Sequence, residues 1–111
     1  MAARVGTVAR VDVPKTAKRG EIVDIRTLIS HTMETGYRRD YLGRPLPRDI
    51  ITGFTCTYNG AEVCRAVLHP AIAANPYLTF SIVATESGTL QFTWTGDNGF
   101  TFTESAALNV V

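Results

Sequence analysis

The sequence predicts an all-β fold, an immunoglobulin-like β-sandwich of about seven antiparallel strands, and three observations support this prediction. Apolar and polar residues alternate in several short runs, which is the period of a half-buried strand. Gly, Pro, Asn and Asp separate those runs at short intervals. Asn59-Gly60 lies between two stretches rich in β-branched and aromatic residues, a strong signal for a tight hairpin. The length suits one core, so we expect a single domain over residues 1–111.

The first predicted strands follow from the alternation. One covers residues 5–13 and ends at Pro14, and a polar turn is expected over residues 16–20. The next covers residues 21–30, and one side of it is continuously apolar or β-branched. We expect that side to face the core, with Val23, Ile25, Thr27 and Ile29.

The remaining strands are predicted around four turns. Residues 50–68 form the hairpin, and further strands cover residues 77–85, 89–95 and 100–110. A single helical turn fits residues 71–74, between two prolines. Two sets of side chains are expected to share a face within their strands: Leu78, Phe80 and Ile82 in one, and Leu90, Phe92 and Trp94 in another.

The two cysteines lie in the predicted hairpin. A two-residue turn pairs Tyr58 with Ala61, so Cys56 is expected opposite Val63, and Cys64 on the other face of the sheet. A disulfide would need a longer turn or a bulge. The hairpin geometry therefore favours two buried thiols that act as small hydrophobic residues over a disulfide.

Composition excludes several classes of function. A net charge of +1 argues against nucleic acid, which needs a clustered basic face. No apolar run reaches the length of a transmembrane helix. The N-terminal stretch is charged and lacks the apolar centre of a secretory signal, so the sequence alone predicts a cytoplasmic protein. A folded chain can, however, be exported together with a partner that carries a signal.

The residue patterns in the sequence indicate no catalytic, cofactor or metal site. His31, Met33, Cys64 and His69 are the residue types of a blue-copper centre, but no methionine follows His69. Histidines that bind loop backbone are the favoured alternative. Both cysteines lie within predicted strands, not in an exposed electropositive loop, and no phosphate-binding glycine loop is present. We expect a protein that is not an enzyme.

Protein recognition is the remaining class of function. The long loop 31–48 concentrates residue types that are enriched at interfaces, and the loop 69–77 is stiffened by two prolines. The predicted partner-binding residues are Met33, Tyr37, Arg38, Arg39, Tyr41, His69, Pro70 and Asn75. The alternatives are a solvated arginine-rich loop and a stiff connection between sheets. A self-contained binding module for a small ligand or a protein is the rival function.

Three segments resemble a known family. KRGEIVDIRTLISHTMETGYRRD (18–40), LPRDIITGFTCTYNGAEVCRAVLHPAIAANPYLTFSIVAT (46–85) and SGTLQFTW (87–94) are similar to the SoxZ family. The segments METGYRRD and HPAIAANPY are specific to it. One position departs from the family pattern, because Thr32 stands where the family commonly has proline.

The resemblance implies an immunoglobulin-like subunit that forms a heterodimer with SoxY in thiosulfate oxidation. SoxY carries sulfur intermediates on a cysteine in its C-terminal arm, and the complex meets SoxAX, SoxB and SoxCD in the periplasm. The family subunit itself holds no cofactor, and its export alongside SoxY is implied. We further hypothesise that the arginines at positions 38, 39, 44 and 48 steer anionic partners.

Overall fold

The computed structural model describes residues 8–30, 39–45, 49–68 and 77–111. Two β-sheets pack against each other, one of three strands and one of five, so the predicted all-β sandwich is confirmed. No helix in these four ranges is long and apolar enough to cross a membrane.

The three-stranded sheet has the order β1-β3-β6, and both of its pairings are antiparallel. Its strands are β1 (Ala9–Asp12), β3 (Ile22–Ile29) and β6 (Tyr77–Val83). Buried and exposed residues alternate without exception along β3, because one face covers the core and the other faces solvent. The predicted inner set of β3, from Val23 to Ile29, is therefore confirmed.

The five-stranded sheet has the order β2-β8-β7-β4-β5. Its strands are β2 (Thr16–Ala17), β4 (Ile51–Tyr58), β5 (Ala61–Val67), β7 (Gly88–Gly96) and β8 (Thr101–Val110). A 3-10 turn, Asp97–Gly99, joins β7 to β8. The described residues thus contain eight strands, one more than the sequence predicted, and the extra strand is β2.

The short strand β2 corrects the prediction of a polar turn over residues 16–20. Thr16 and Ala17 run parallel to Asn109 and Val110 at the end of β8. Backbone hydrogen bonds from Asn109 to Lys15 and from Val111 to Ala17 hold the pair together. Alternation over two residues is too short to distinguish a strand from a turn, so this pairing depends on a contact distant in sequence.

The core between the sheets is built around aromatic side chains. Phe54, Phe92 and Trp94 are fully buried, and Phe54 lies with its ring centroid 5.2 Å from that of Trp94. Phe80 of the other sheet meets Phe54 at 6.0 Å, so the cluster connects the two sheets. Aromatic pairs at such distances stabilise a core beyond the area they bury. The side chains predicted to share a face in β6 and in β7 do so, on the more buried side of each strand.

The hairpin of β4 and β5 forms where the sequence predicts it. Asn59 and Gly60 have φ values of 51° and 85°, as a two-residue turn of this type requires, and Tyr58 pairs with Ala61. Tyr58 anchors this end of the sandwich, because its hydroxyl accepts hydrogen bonds from the backbone N–H groups of Thr85 and Glu86 and donates one to the Glu86 carbonyl.

The predicted register beyond that turn is wrong. The pairing shifts between Cys56 and Thr57, so Cys56 lies opposite Cys64 instead of Val63. Thr55, which an unshifted register would pair with Cys64, pairs with Arg65. The cause is a β-bulge, in which Val63 is an extra residue of β5 without a partner in β4.

Candidate partner-binding site

The two connections predicted to form an interface leave the same end of the sandwich, which we call the loop end. Strand β3 finishes and β6 begins at the pair Leu28–Tyr77. Strand β4 begins and β5 finishes near the pair Gly53–Val67. The hairpin and its Tyr58 anchor occupy the opposite end, beside the finish of β6. Both predicted binding segments are therefore joined to strands at one end of the molecule.

The structure describes two of the predicted binding residues, Arg39 and Tyr41. The other six lie outside the described residues: Met33, Tyr37, Arg38, His69, Pro70 and Asn75. The helical turn expected over residues 71–74 also lies outside them.

Arg39 and Tyr41 belong to a compact turn, residues 39–45, which we call the Asp40 turn. One carboxylate oxygen of Asp40 accepts hydrogen bonds from the backbone N–H groups of Leu42, at 2.9 Å, and Arg44, at 3.0 Å. The other oxygen accepts one from Nε of Arg44 at 3.0 Å. The turn closes with a bridge between Arg39 and Pro45. A short aspartate side chain is well suited to organise a turn in this way.

The backbone of the Asp40 turn forms further hydrogen bonds within the turn. The N–H of Gly43 donates to the carbonyl of Asp40, and the Arg39 guanidinium donates to the carbonyl of Gly43, both at 2.9 Å. Gly43 has a φ of 80°, a conformation that glycine adopts without strain. The backbone N–H of Arg44, helped by that of Leu42 and by the Arg44 side chain, lowers the pKa of Asp40.

The tip of the Asp40 turn presents apolar surface to solvent. Tyr41 is 93% exposed and Leu42 is 59% exposed. A tyrosine and a leucine on a turn that its own hydrogen bonds hold can be buried by a partner at a low ordering cost. The turn is therefore suited to protein recognition and does not use its apolar residues for its own fold.

The charges of this segment are only partly available for steering. Arg44 forms an ion pair with Asp40 inside the turn, so the two charges offset one another. Arg39 donates to a neutral carbonyl and retains its net charge. Arg38 and Arg48 lie outside the described residues. The steering hypothesis is thus weakened for Arg44.

A second exposed patch, which the sequence analysis missed, adjoins the loop end. It lies on the outer face of the three-stranded sheet, and we call it the sheet patch. Its members are Val8, Arg10, Arg26, Leu28 and Tyr77. Most of them line a depression of about 250 Å³. Its signal was Leu28, an apolar residue on the side of β3 that also carries Asp24 and Arg26. Arginine and tyrosine around an apolar centre are typical of protein interfaces.

Both cysteines of the chain lie among the described residues. Cys56 is buried, Cys64 is half-buried, and both are free thiols. Burial, and secondarily the neighbouring Cys64, raises the pKa of Cys56 to about 12. Burial, followed by Glu62, also raises the pKa of Cys64. The described ranges contain no group of three or more His, Cys, Asp or Glu able to hold a metal, while His31, Met33 and His69 lie outside them.

Comparison with solved structures supports the fold alone. Superoxide reductase (neelaredoxin) from Ignicoccus hospitalis is 14% identical, with a TM-score of 0.69 over 93% of this chain and 80% of that one. A putative superoxide reductase from Thermotoga maritima is 17% identical, with a TM-score of 0.65 over 93% and 85% of the two chains. A CARDB domain from Pyrococcus furiosus, solved with di-metal ions, is 11% identical, with a TM-score of 0.54 over 95% and 94%.

The family comparison identifies the chain more closely. A search of curated proteins gave no match. The sequence matches the family described as sulphur oxidation protein SoxZ over residues 10–107. This range includes β2 to β7, most of β1 and β8, and both connections at the loop end. The chain therefore belongs to the SoxZ family of sulphur oxidation proteins.

Proposed function

We propose that this chain is the non-catalytic subunit of a SoxYZ sulfur carrier complex. It forms a heterodimer with SoxY, whose C-terminal arm cysteine carries sulfur intermediates during thiosulfate oxidation. The observation that carries this proposal is the SoxZ family match over residues 10–107.

The exposed surfaces at the loop end support a binding role. Tyr41 and Leu42 form the tip of the Asp40 turn, while Leu28 and Tyr77 form the centre of the sheet patch. Exposed aromatic and aliphatic residues flanked by arginines are the usual anchors of a protein interface. We assign the sheet patch and the Asp40 turn to the contacts of this subunit within the complex. The predicted residues Met33, Tyr37, Arg38, His69, Pro70 and Asn75 extend that assignment along the same two connections.

The thiols support a role other than sulfur carriage for this subunit. The thiolate is the nucleophilic form of cysteine, and the raised pKa of both Cys56 and Cys64 disfavours it at neutral pH. Both residues also lie within paired strands of the sheet, so neither can swing between enzymes. A carrier cysteine needs the opposite properties, and we place it on SoxY.

The complex works in the periplasm under this proposal. The subunit is exported with SoxY, and the loaded complex contacts SoxAX, SoxB and SoxCD in turn. Arg10 and Arg39 provide exposed positive charge for encounters with anionic partners, an effect that added salt weakens.

The test is binding of the full chain to purified SoxY, measured by calorimetry. Replacement of the sheet-patch pair by Leu28→Asp and Tyr77→Ser is expected to weaken binding by at least tenfold, about 1.4 kcal/mol, because a charge replaces an apolar contact. The matched control is the pair Ile22–Val83 on the same two strands at the hairpin end. Ile22→Asp and Val83→Ser remove similar exposed apolar surface and are expected to leave affinity near that of the wild type.

Each part of the proposal has its own contradicting result. Equal loss of affinity in the patch and control variants would show that the sheet patch is not the contact. Failure of the wild-type chain to bind SoxY would overturn the heterodimer. Thiosulfate oxidation by the isolated chain, or a sulfur adduct on Cys56 or Cys64 during turnover, would overturn the non-catalytic role.

A further inference from the structure

The bulge in β5 brings the two cysteines of the chain directly opposite each other. Cys56 of β4 and Cys64 of β5 are register partners in an antiparallel pair. Opposed residues in such a pair have Cα atoms about 4.5–5.5 Å apart. A disulfide spans Cα separations of about 4.4–6.8 Å. Without Val63 as the extra residue, the two side chains would have pointed to opposite faces of the sheet.

Both thiols lie on the core side of the five-stranded sheet, and they differ in access. Cys56 is fully buried and its strand is paired on both sides, with β5 and with β7. Cys64 packs against the core but is only half-buried, and β5 is the edge strand of its sheet. A reagent can therefore reach Cys64 from the open edge, whereas Cys56 can be reached only through its neighbour.

We propose that Cys56 and Cys64 form a cross-strand disulfide when the folded chain meets a thiol oxidant of the disulfide class. The minor thiolate fraction of Cys64, formed by loss of its proton to solvent, attacks one sulfur of the oxidant's disulfide, and the other oxidant sulfur leaves as a thiol. Cys56 then loses its proton and attacks Sγ of Cys64 in this mixed disulfide. The second oxidant sulfur leaves as a thiol, so the chain loses two protons and two electrons, and the oxidant takes them up as two thiol groups.

The consequence for function rests on the proposed role of the chain as the non-carrier subunit. The sequence contains two cysteines, so one disulfide leaves it no thiol. Sulfur intermediates then have no competing acceptor on this subunit, and the arm cysteine of SoxY remains the single site of attachment. The bond also closes the hairpin covalently, which stabilises the edge of the sheet.

The chemistry is tested on the full chain alone, without SoxY, so its outcome is independent of the heterodimer test. The reduced, folded protein is treated with oxidised glutathione, quenched with acid, and measured by intact mass spectrometry. We expect a loss of two hydrogen atoms, no remaining alkylatable thiol, and a thermal unfolding midpoint higher by on the order of 5 °C. A persistent glutathione adduct, a disulfide-linked dimer, or two unreacted thiols would overturn the proposal.

Two single variants test the order of the steps. Cys56→Ala removes the resolving thiol, so a glutathione adduct is expected to accumulate on Cys64. Cys64→Ala leaves the buried thiol alone, and we expect at least tenfold slower adduct formation in the folded state. Equal rates of adduct formation in the two variants would contradict entry through Cys64.

A register control separates the bulged pairing from the unbulged one. The double variant Thr55→Cys and Cys56→Ala moves the β4 thiol by one residue, opposite Arg65 and away from Cys64. We expect it to form no intramolecular disulfide under conditions that oxidise the wild type. The unbulged register predicts the opposite result, a disulfide in this variant and none in the wild type. That result would overturn both the bulged register and the proposal.

Discussion

Two turns of this molecule use polar side chains in opposite ways. In the hairpin turn, Asn59 Oδ1 accepts the N–H of Thr89 at 3.0 Å, and its Nδ2 group donates to the carbonyl of Ser87 at 3.4 Å. Together with the Tyr58 hydroxyl, these bonds attach the turn to the segment that joins β6 to β7. The hairpin turn is a structural part of the sandwich, and its polar side chains serve the fold.

The Asp40 turn keeps its described hydrogen bonds to itself. Asp40 binds Leu42 and Arg44, and Arg39 binds Gly43, all within residues 39–45. Its apolar residues point outward, while the hairpin turn has only Asn59 and Gly60 at its tip. Polar bonding within a turn thus leaves the turn's apolar side chains free for a partner. Changes at the hairpin turn should therefore affect stability, and changes at the Asp40 turn should affect binding.

The largest effect is expected from Tyr58→Phe. This substitution removes the hydroxyl that is the hydrogen-bond partner of the Thr85 N–H, the Glu86 N–H and the Glu86 carbonyl. The free energy of unfolding should therefore fall by about 2–3 kcal/mol. Urea denaturation measures the change. Tyr77→Phe is the control, because Tyr77 is exposed, and it should change stability by no more than about 0.5 kcal/mol. Equal values for the two variants would mean that the hairpin turn is not anchored by its tyrosine.

Tyr41→Ala should show the reverse behaviour. We expect its affinity for SoxY to fall about tenfold, or about 1.4 kcal/mol, with a free energy of unfolding within about 0.5 kcal/mol of the wild type. Calorimetry gives the first quantity and urea denaturation the second. Asn59→Gly is the counterpart in the hairpin turn, since it removes the side chain but keeps the positive φ accessible. It should lower stability and leave affinity unchanged, and a loss of affinity there would break the comparison.

A matched pair of glycine variants sharpens the comparison. Gly43 and Gly60 have φ values of 80° and 85°, and a Cβ added at either would meet no atom within 4 Å. Alanine at either site should therefore cost about 1 kcal/mol of backbone strain without a clash. For Gly60→Ala we expect the cost in the free energy of unfolding, because the hairpin turn is bonded to the rest of the sandwich. Gly43→Ala relieves its strain by opening the Asp40 turn, so we expect its cost in the affinity for SoxY. Equal changes of stability and of affinity for SoxY in the two variants would show that the two turns do not differ in role.

The smallest expected effect is the response of the Asp40 turn to low pH. The pKa of Asp40 is lowered in the folded turn. The contribution of the Asp40 carboxylate to the stability of the turn is therefore fully present above the ordinary aspartate pKa of 3.8, and it is lost as pH falls through the lower folded value. The amide chemical shifts of Leu42 and Arg44 should thus stay constant from neutral pH to about pH 4 and change below it. Asp40→Asn should abolish that transition. A midpoint at or above the ordinary value would contradict the described hydrogen bonds.

Local rules in the sequence were sufficient for most of the fold. Alternation placed Val23 to Ile29 of β3 and Leu90 to Trp94 of β7 on the correct faces, because burial has a period of two in a half-buried strand. Asn59-Gly60 located the hairpin because few residue pairs adopt positive φ at both positions. The bulge at Val63 was missed, since no local signal in β5 distinguishes an extra residue from a paired one. The β2–β8 pairing was missed because it joins residues distant in sequence.

The candidate site could be predicted by composition but not by geometry. Tyr41 and Arg39 stood out as interface residue types, yet the sequence did not show that Asp40 would bind three groups of its own turn. The sheet patch depends on how Val8, Leu28 and Tyr77 come together across strands. Cross-strand neighbours require the register, and register is a property of the folded sheet.

The short parallel pair of β2 and β8 has a mechanical consequence. Its backbone bonds connect residues near the start of the described chain to its last residues, through Lys15, Ala17 and Arg19 on one side and Asn109 and Val111 on the other. Because the two strands run in the same direction, tension applied between Val8 and Val111 pulls them past one another along their length. All these bonds are then loaded together and cannot open one at a time. The sandwich should therefore resist extension from its ends more strongly than an antiparallel closure of equal length.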